Sequence, residues 1–229
     1  MLAPVTIPER RQTAKADETR NRILDAALRL FRERGFAETT MRDVATAAGV
    51  ATGAAYYYFR SKEELVLAFY VRTDQEAAEM FAAAIAASKE LKKRMRGLIE
   101  AKFAQFLEHR ALLTALLKAG VDPRDRLSPF GSETAPVREE SIAWYARALE
   151  GSDVKVPRDL APHVPRLLWM YHMGLIYFWI TDESPRQQRT QRLVDATLDL
   201  VVQLLKASSR PCRGPLRKRA LKVLEAIET

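Results

Sequence analysis

The sequence predicts an all-α protein built of a small N-terminal three-helix domain followed by a larger helical domain. Three observations carry this. Apolar residues recur at three- and four-residue spacing over most of the chain, no alternating strand pattern occurs, and proline and glycine clusters cut the chain into helix-sized pieces. At 229 residues, with 48% hydrophobic and 29% charged side chains, the chain has the length and the apolar content for a packed core. The boundaries drawn from composition and periodicity are a flexible basic arm at 1–16, a three-helix domain at 17–62, a larger domain at 63–208 and a basic amphipathic helix at 209–229.

The elements follow in order. Residues 1–16 hold Pro4, Pro8, Arg10, Arg11 and Lys15 without a periodic apolar set. Asp17 or Thr19 is placed to cap a first helix whose apolar positions are Ile23, Ala26, Ala27, Leu30 and Phe31, and Gly35 ends it in the left-handed conformation. Thr40 caps a short second helix to Ala48, Asp43 favours its N-terminus by charge, and Met41, Val44, Ala45 and Ala48 form its apolar face. Gly49 stops it, Val50 opens a tight turn, and a third short helix runs from Thr52 to Phe59. The small residues Ala45, Ala48, Gly49 and Gly53 permit a close crossing of the two short helices. Ser61-Lys62-Glu63-Glu64 is a Ser-x-x-Glu capping box that opens a long helix through Leu65, Phe69, Met80 and Phe81.

Further helices are expected at about 90–109, 111–119, 135–150, 159–181, 186–208 and 215–228, separated by Gly120 to Pro129, Gly151 to Pro157, Ser184-Pro185 and Pro211 to Pro215. In the helix over 186–208, one stripe holds Leu193, Leu200 and Leu204 and another holds Val194, Leu198, Val201, Val202 and Leu205, so it must be covered on two sides. The C-terminal segment sets Lys206, Arg210, Arg213, Arg217, Lys218, Arg219 and Lys222 against Glu225 and Glu228. Leu216, Ala220, Val223, Leu224 and Ile227 give it one apolar side, which suits packing on the body, with DNA or membrane contact as the alternatives.

Several function classes are excluded. Cys212 is the only cysteine and His109, His163 and His172 are the only histidines, so no metal-ligand spacing exists, no cofactor is expected, and a cytoplasmic protein fits best. The apolar stretch from Trp169 to Ile180 falls far short of the roughly 20 residues that span a bilayer, the N-terminus has no apolar core of a signal peptide, and no membrane partner is expected. No nucleophile with a base and no phosphate-cradling glycine loop marks an enzyme, and Glu139-Glu140 point different ways on a helix. The net charge of +8 suits an anionic partner. Residues 1–62 contribute eleven basic against seven acidic side chains, a modest excess.

Two short helices joined by a glycine-containing turn and braced by a preceding helix are the arrangement that lets one helix enter the major groove. Thr40-Met41-Arg42-Asp43-Val44-Ala45, followed by Ala48-Gly49-Val50-Ala51-Thr52-Gly53-Ala54-Ala55-Tyr56-Tyr57-Tyr58-Phe59-Arg60-Ser61-Lys62-Glu63-Glu64-Leu65, resembles the DNA-binding domain of the TetR family of regulators over about residues 19–66. The Gly-Val turn, the Tyr-x-Tyr-Phe ending and the Ser-Lys-Glu cap stand in the family's order and spacing. The resemblance implies a homodimeric transcriptional regulator, usually a repressor. It would bind palindromic double-stranded operator DNA, be released by a small, largely apolar effector, and pair its last two long helices with their copies as a four-helix bundle. The resemblance also implies DNA contacts at Thr40, Thr52, Tyr56, Tyr57 and Lys62, whose hydroxyls, phenols and ammonium are good phosphate ligands, with Arg42 as an additional contact. Ile23, Leu30, Phe31, Val44, Val50, Tyr58 and Phe59 read as core. Ala51, Ala54 and Ala55 depart from the family's commoner pattern, so specificity is expected from methyl contacts such as that of Ala54, from Thr52 and Tyr57, and from DNA shape.

All three tryptophans fall in Trp144-Tyr145 and in the segment Trp169 to Trp179. These rings either fill core and dimer interface or line an effector pocket made by Trp144, Tyr145, Trp169, His172, Met173 and Tyr177, completed by Phe103, Phe106 and Leu116. His172 is either a hydrogen-bonded core histidine or the reader of a ligand's polar group. In the proposed mechanism the long helix from Ser61 links both domains, and a ligand that wedges the C-terminal helices apart changes the separation of two reading heads set to half-sites about 34–36 Å apart. The alternative is a DNA-binding architectural or partner-regulated protein without an effector.

Overall fold

The computed structural model describes residues 14–120, 125–209 and 222, and nine α-helices without strands lie among the described residues. They are α1 (Ala14–Arg34), α2 (Met41–Ala47), α3 (Thr52–Tyr58), α4 (Lys62–Ala86), α5 (Leu91–Phe106), α6 (Arg110–Gly120), α7 (Ala135–Leu149), α8 (Val164–Thr181) and α9 (Gln188–Ser208). The all-helical fold class therefore holds. The chain divides into two compact units between Phe69 and Tyr70, inside α4, and not at residue 62. The first two turns of α4 bring the fully buried Leu65, Val66 and Phe69 to the first unit, which is why the capping box at its start does not mark the boundary.

In the first unit α2 packs on both α1 and α3. Ile23, Leu24, Ala27, Phe31, Val44 and Phe59 are buried to 2% exposure or less, each stabilising the fold by about 1.5–3 kcal/mol where large and apolar. Val50 and Tyr58, expected in the core, are only half-buried. α1 begins by Ala14, so residues 14–16 are helical and not part of an arm. Thr19 does not cap: its hydroxyl donates to the Lys15 carbonyl at 2.9 Å from inside the helix. Thr40 and Asp43 form a complete capping box, with Asp43 N donating to Thr40 Oγ1 at 3.2 Å and Thr40 N donating to Asp43 Oδ2 at 2.9 Å. Those bonds from the Thr40 hydroxyl and amide hold the Asp43 carboxyl below its ordinary range. At α4, Ser61 accepts from Glu64 N at 3.4 Å, and the Glu64 carboxylate reaches back one residue further than expected, to Arg60 N at 2.8 Å.

The second unit buries one continuous core in which Phe81, Leu91, Met95, Ile99, Leu168 and Leu198 meet. A methyl group placed on Gly97 would come within 2.7 Å of Ala84 Cβ, so α4 and α5 approach here as closely as glycine allows. α8 begins at Val164 and not at 159, with Pro165 in its first turn, the one helical place where a missing N–H costs nothing. Residues 158–163 are turn. Asp182 closes α8 onto α9: its carboxylate accepts from Ser184 N at 2.9 Å and from Thr190 N and Oγ1 at 2.8 Å. Burial alone would raise this carboxyl, but the bonds from Ser184 and Thr190 win and hold it well below its ordinary value. The basic arm before residue 14 and almost all of the C-terminal basic helix lie outside the described residues.

Arg94 ties three segments together. Buried on α5, it donates from Nε to the Ser88 carbonyl at 2.6 Å and from one terminal nitrogen to the carbonyls of Ala148 at 3.0 Å and Glu150 at 2.6 Å. Arg94→Met keeps most of the volume and strands these acceptors. It is expected to lower the unfolding free energy by roughly 2–4 kcal/mol, measured as a lower urea midpoint.

Candidate nucleic-acid interface and effector cavity

α3 is held by a single fully buried side chain, Ala55. With one face of its seven residues inward, the rest point out: Thr52 and Gly53 are exposed, Tyr56 and Tyr57 are 50% and 68% exposed, and Ala54 is half-buried. Tyr57 meets Tyr58 edge-on at 5.2 Å, which fixes the outward ring without burying it. Thr40 and Arg42 stand exposed at the start of α2. The turn between the helices needs Gly49, whose φ is +65°, while Val50 N closes it on the Ala45 carbonyl at 3.0 Å. The close crossing uses Ala45 and Ala48, both buried. Gly53 is not part of it, since a methyl group there would meet nothing within 4 Å. Its place is instead on the bare outer surface of α3.

Lys62 is more committed than its sequence position suggests. Its ammonium donates to the Phe36 carbonyl at 2.7 Å and the Ala37 carbonyl at 3.2 Å and lies 4.7 Å from the Phe36 ring centre. It therefore binds α4 to the end of the α1 segment. On the opposite side Arg20 lies over Phe59 at 4.8 Å.

In the second unit a cavity of about 110 Å³ is walled largely by apolar side chains, among them Phe106, Leu116, Trp169 and Met173. A smaller cavity of about 30 Å³ is lined by Trp144, Tyr145 and His172, and the two share Lys102, Ser141, Trp169 and Met173 as walls. Seven of the nine residues expected at an effector pocket thus come together. Two do not. The Phe103 ring stacks on Trp179 at 5.1 Å and faces a separate groove bordered by Val194 and Asp195, and Tyr177 is 55% exposed and lines neither cavity. Periodicity could not settle either, because Tyr177 lies one residue, about 100° of helix, past the wall residue Ile176.

Three charged residues in the wall were missed: Asp74, Lys102 and Arg138. Asp74 of α4 and Lys102 of α5 form a buried ion pair, Ser141 Oγ donates to Asp74 at 3.4 Å, and the Lys102 ammonium lies 4.9 Å from the Phe106 ring and 5.3 Å from that of Phe81. The sequence does carry a signal for Lys102: it stands in phase with the buried positions Met95, Leu98 and Phe106, where a charge has no place on an ordinary helix. Deeper in, the Tyr145 hydroxyl and His172 Nδ1 are hydrogen-bonded, and His172 Nε2 is buried with no partner. Burial, reinforced by the Lys102 charge, lowers the His172 pKa to about 3.

Among the described residues no helix is long and apolar enough to cross a membrane, and no group of three or more His, Cys, Asp or Glu side chains stands close enough to hold a metal ion. A family model described as bacterial regulatory proteins, tetR family, matches residues 23–69, and one described as tetracyclin repressor-like, C-terminal domain, matches residues 94–219. The chain is 30% identical over 113 residues to the HTH-type transcriptional regulator YerO of Bacillus subtilis, covering 48% of this chain and 39% of that protein. It is 51% identical over 59 residues to the HTH-type transcriptional regulator TtgR of Pseudomonas putida, covering 26% of this chain and 28% of that one. The chain thus spans less than half the length of these relatives. The fold is similar to the crystal structure of a TetR transcriptional regulator from Nitrosomonas europaea, with a TM-score of 0.62 at 18% identity over 80% of this chain and 98% of that one.

The low pKa of His172 has a measurable consequence. An unfolded histidine takes up a proton near 6.5, whereas this one does so only near 3. Between those values the unfolded chain binds the extra proton, so this residue's contribution to stability is complete above 6.5 and falls as the pH drops. The imidazole NMR shifts of His172 are expected to stay constant from pH 8 to 5, and His172→Phe is expected to flatten the decline of the urea midpoint over that range.

Proposed function

The chain belongs to the TetR family of bacterial regulatory proteins, DNA-binding transcription factors and not enzymes, and we propose that it is a homodimeric repressor of palindromic operator DNA that a small, largely apolar effector releases. The observation that carries the DNA-reading part is the face of α3: a seven-residue helix that buries only Ala55 and turns Thr52, Tyr56 and Tyr57 to solvent. A major-groove helix uses such groups, with phenols on phosphates, the Thr52 hydroxyl and the Ala54 methyl at base edges, and Thr40 and Arg42 adding backbone contacts from α2. Lys62 has two of its ammonium hydrogens engaged within the fold, so it serves as a positioning group as much as a phosphate ligand.

Pairing is supported by two exposed apolar stripes in the second unit. On α8, Leu167, Met170, Tyr177 and Phe178 are exposed at helical spacing. On α9, Leu200 and Leu204 are each 56% exposed, while Val194, Leu198 and Val202 face inward. Among the described residues each helix is thus covered on one side and bare on the other, which a second copy would satisfy as a four-helix interface. Tyr177 belongs to this face. Repression accords with the tetracyclin repressor-like description of the second domain, and effector release with the cavity between α4, α5, α7 and α8, since α4 continues into the DNA-reading unit.

Two measurements test this. Tyr57→Ala is expected to weaken binding to the chain's own upstream DNA by roughly tenfold or more with little change in melting temperature, and binding should fall steeply with salt. Failure to bind that DNA or any member of a random operator library would remove the DNA reading. Leu200→Glu/Leu204→Glu is expected to convert the dimer to a monomer in sedimentation and to weaken operator binding with it; a wild-type monomer would overturn the pairing.

A further inference from the structure

The walls of the two adjoining cavities are largely apolar and carry few charges. Asp74, Lys102 and Arg138 are the charged residues among those lining them, which leaves one net positive charge. Arg138 is committed elsewhere: it donates to the carbonyls of Pro129 at 3.0 Å and Gly131 at 2.9 Å, and its Nε lies 3.6 Å from Glu139. The Lys102 ammonium has three hydrogens and Asp74 as its carboxylate partner, with aromatic rings on its other sides.

His172 supplies a second donor. Its Nδ1 is bonded to the Tyr145 hydroxyl, and burial keeps that phenol protonated. If the hydroxyl donates, the imidazole proton sits on Nε2 and one polar hydrogen is left over. If Nδ1 donates instead, the phenol proton and the Nε2 lone pair are both left over. The first arrangement strands fewer groups, so Nε2 carries the proton. A buried N–H without an acceptor is an uncommon and costly feature, and His172 lines the same small cavity as Lys102, whose charge acts on it.

Resting on the effector reading above, we propose that the effector is an apolar molecule with a single carboxylate, bound by Lys102 Nζ and His172 Nε2–H, with its apolar body in the larger cavity against Leu116, Trp169 and Ile176. A carboxylate completes both donors and leaves the Asp74 pair in place. A cationic ligand would have to take Asp74 from Lys102, stranding an ammonium in an apolar wall and leaving the His172 N–H unpaired. A neutral ligand offers the same donors a weaker acceptor than a carboxylate does.

The test uses the full-length dimer and three probes of equal chain length: octanoate, 1-octanol and octylammonium. Binding is followed by the fluorescence of the cavity tryptophans Trp144 and Trp169 and by calorimetry. Octanoate is expected to bind about tenfold more tightly than 1-octanol, the worth of one charge-assisted hydrogen bond. Lys102→Met and His172→Phe are each expected to erase that preference by weakening octanoate binding far more than 1-octanol binding, and either variant suffices if the other folds poorly. If 1-octanol or octylammonium binds as well as octanoate, or if the preference survives both variants, the carboxylate assignment is overturned while the effector cavity stands. If none of the three binds, both fall. Octanoate binding that leaves operator affinity unchanged would uphold the carboxylate site and overturn the release mechanism.

Discussion

A seven-residue helix is too short to be stable in water by itself, because nucleating a turn costs more than so few hydrogen bonds return. α3 exists only because its neighbours hold it. α2 supports it through the Gly49 turn, Ala55 anchors it, and Phe59 locks its end under Arg20. α2 is equally short and is fixed in turn by the Thr40–Asp43 capping box, a contribution of about 1 kcal/mol, and by the burial of Met41, Val44 and Ala45. Restricting α3 to one buried alanine is what leaves its other side chains available for a partner. A larger residue at position 55 would be fully enclosed, and the exposed face of α3 would be lost with the packing.

The second unit obeys a different constraint. Its core is continuous through Phe81, Met95, Ile99, Leu168 and Leu198, yet α4, α5, α7 and α8 do not close completely, and an ion pair stands in the gap. A pair of apolar residues of the same size would often be as stable or more so, since desolvating two charges offsets most of their attraction. Asp74 and Lys102 are therefore poorly explained by stability alone. The buried, unsatisfied His172 Nε2 is unexplained in the same way. Polar groups that the fold does not need, gathered at one cavity, are what recognition of a ligand requires.

The exposed stripes of α8 and α9 follow the same logic at the surface. α9 carries apolar residues on two faces: Val194, Leu198 and Val202 are buried in the core, while among the described residues Leu200 and Leu204 stand exposed, and the pairing proposed above would cover them.

Much of this was legible in the sequence, and what was legible is local. The helices, the Thr40 cap, the left-handed Gly35, the stop at Gly49 and the proline breaks depend on contacts within about four residues, and so does the helix-turn-helix spacing. Even here local signals misled where they competed: Asp17 and Thr19 look like caps, but α1 begins by Ala14, and the stretch before Pro165 reads as helix although it is turn. The cavity lining was half legible. Aromatic crowding pointed to Trp144, Tyr145, Trp169, His172 and Met173, but it also drew in Phe103 and Tyr177, and it passed over Asp74 and Lys102. By itself the sequence determined which segments are helices and which short helix has a free face, because caps, turns and periodicity are set by neighbours in the chain. Tertiary structure alone decided which aromatic turns inward and that Asp74 meets Lys102, because a helix's rotation about its axis, and the pairing of residues 28 apart, are fixed only when helices pack against one another.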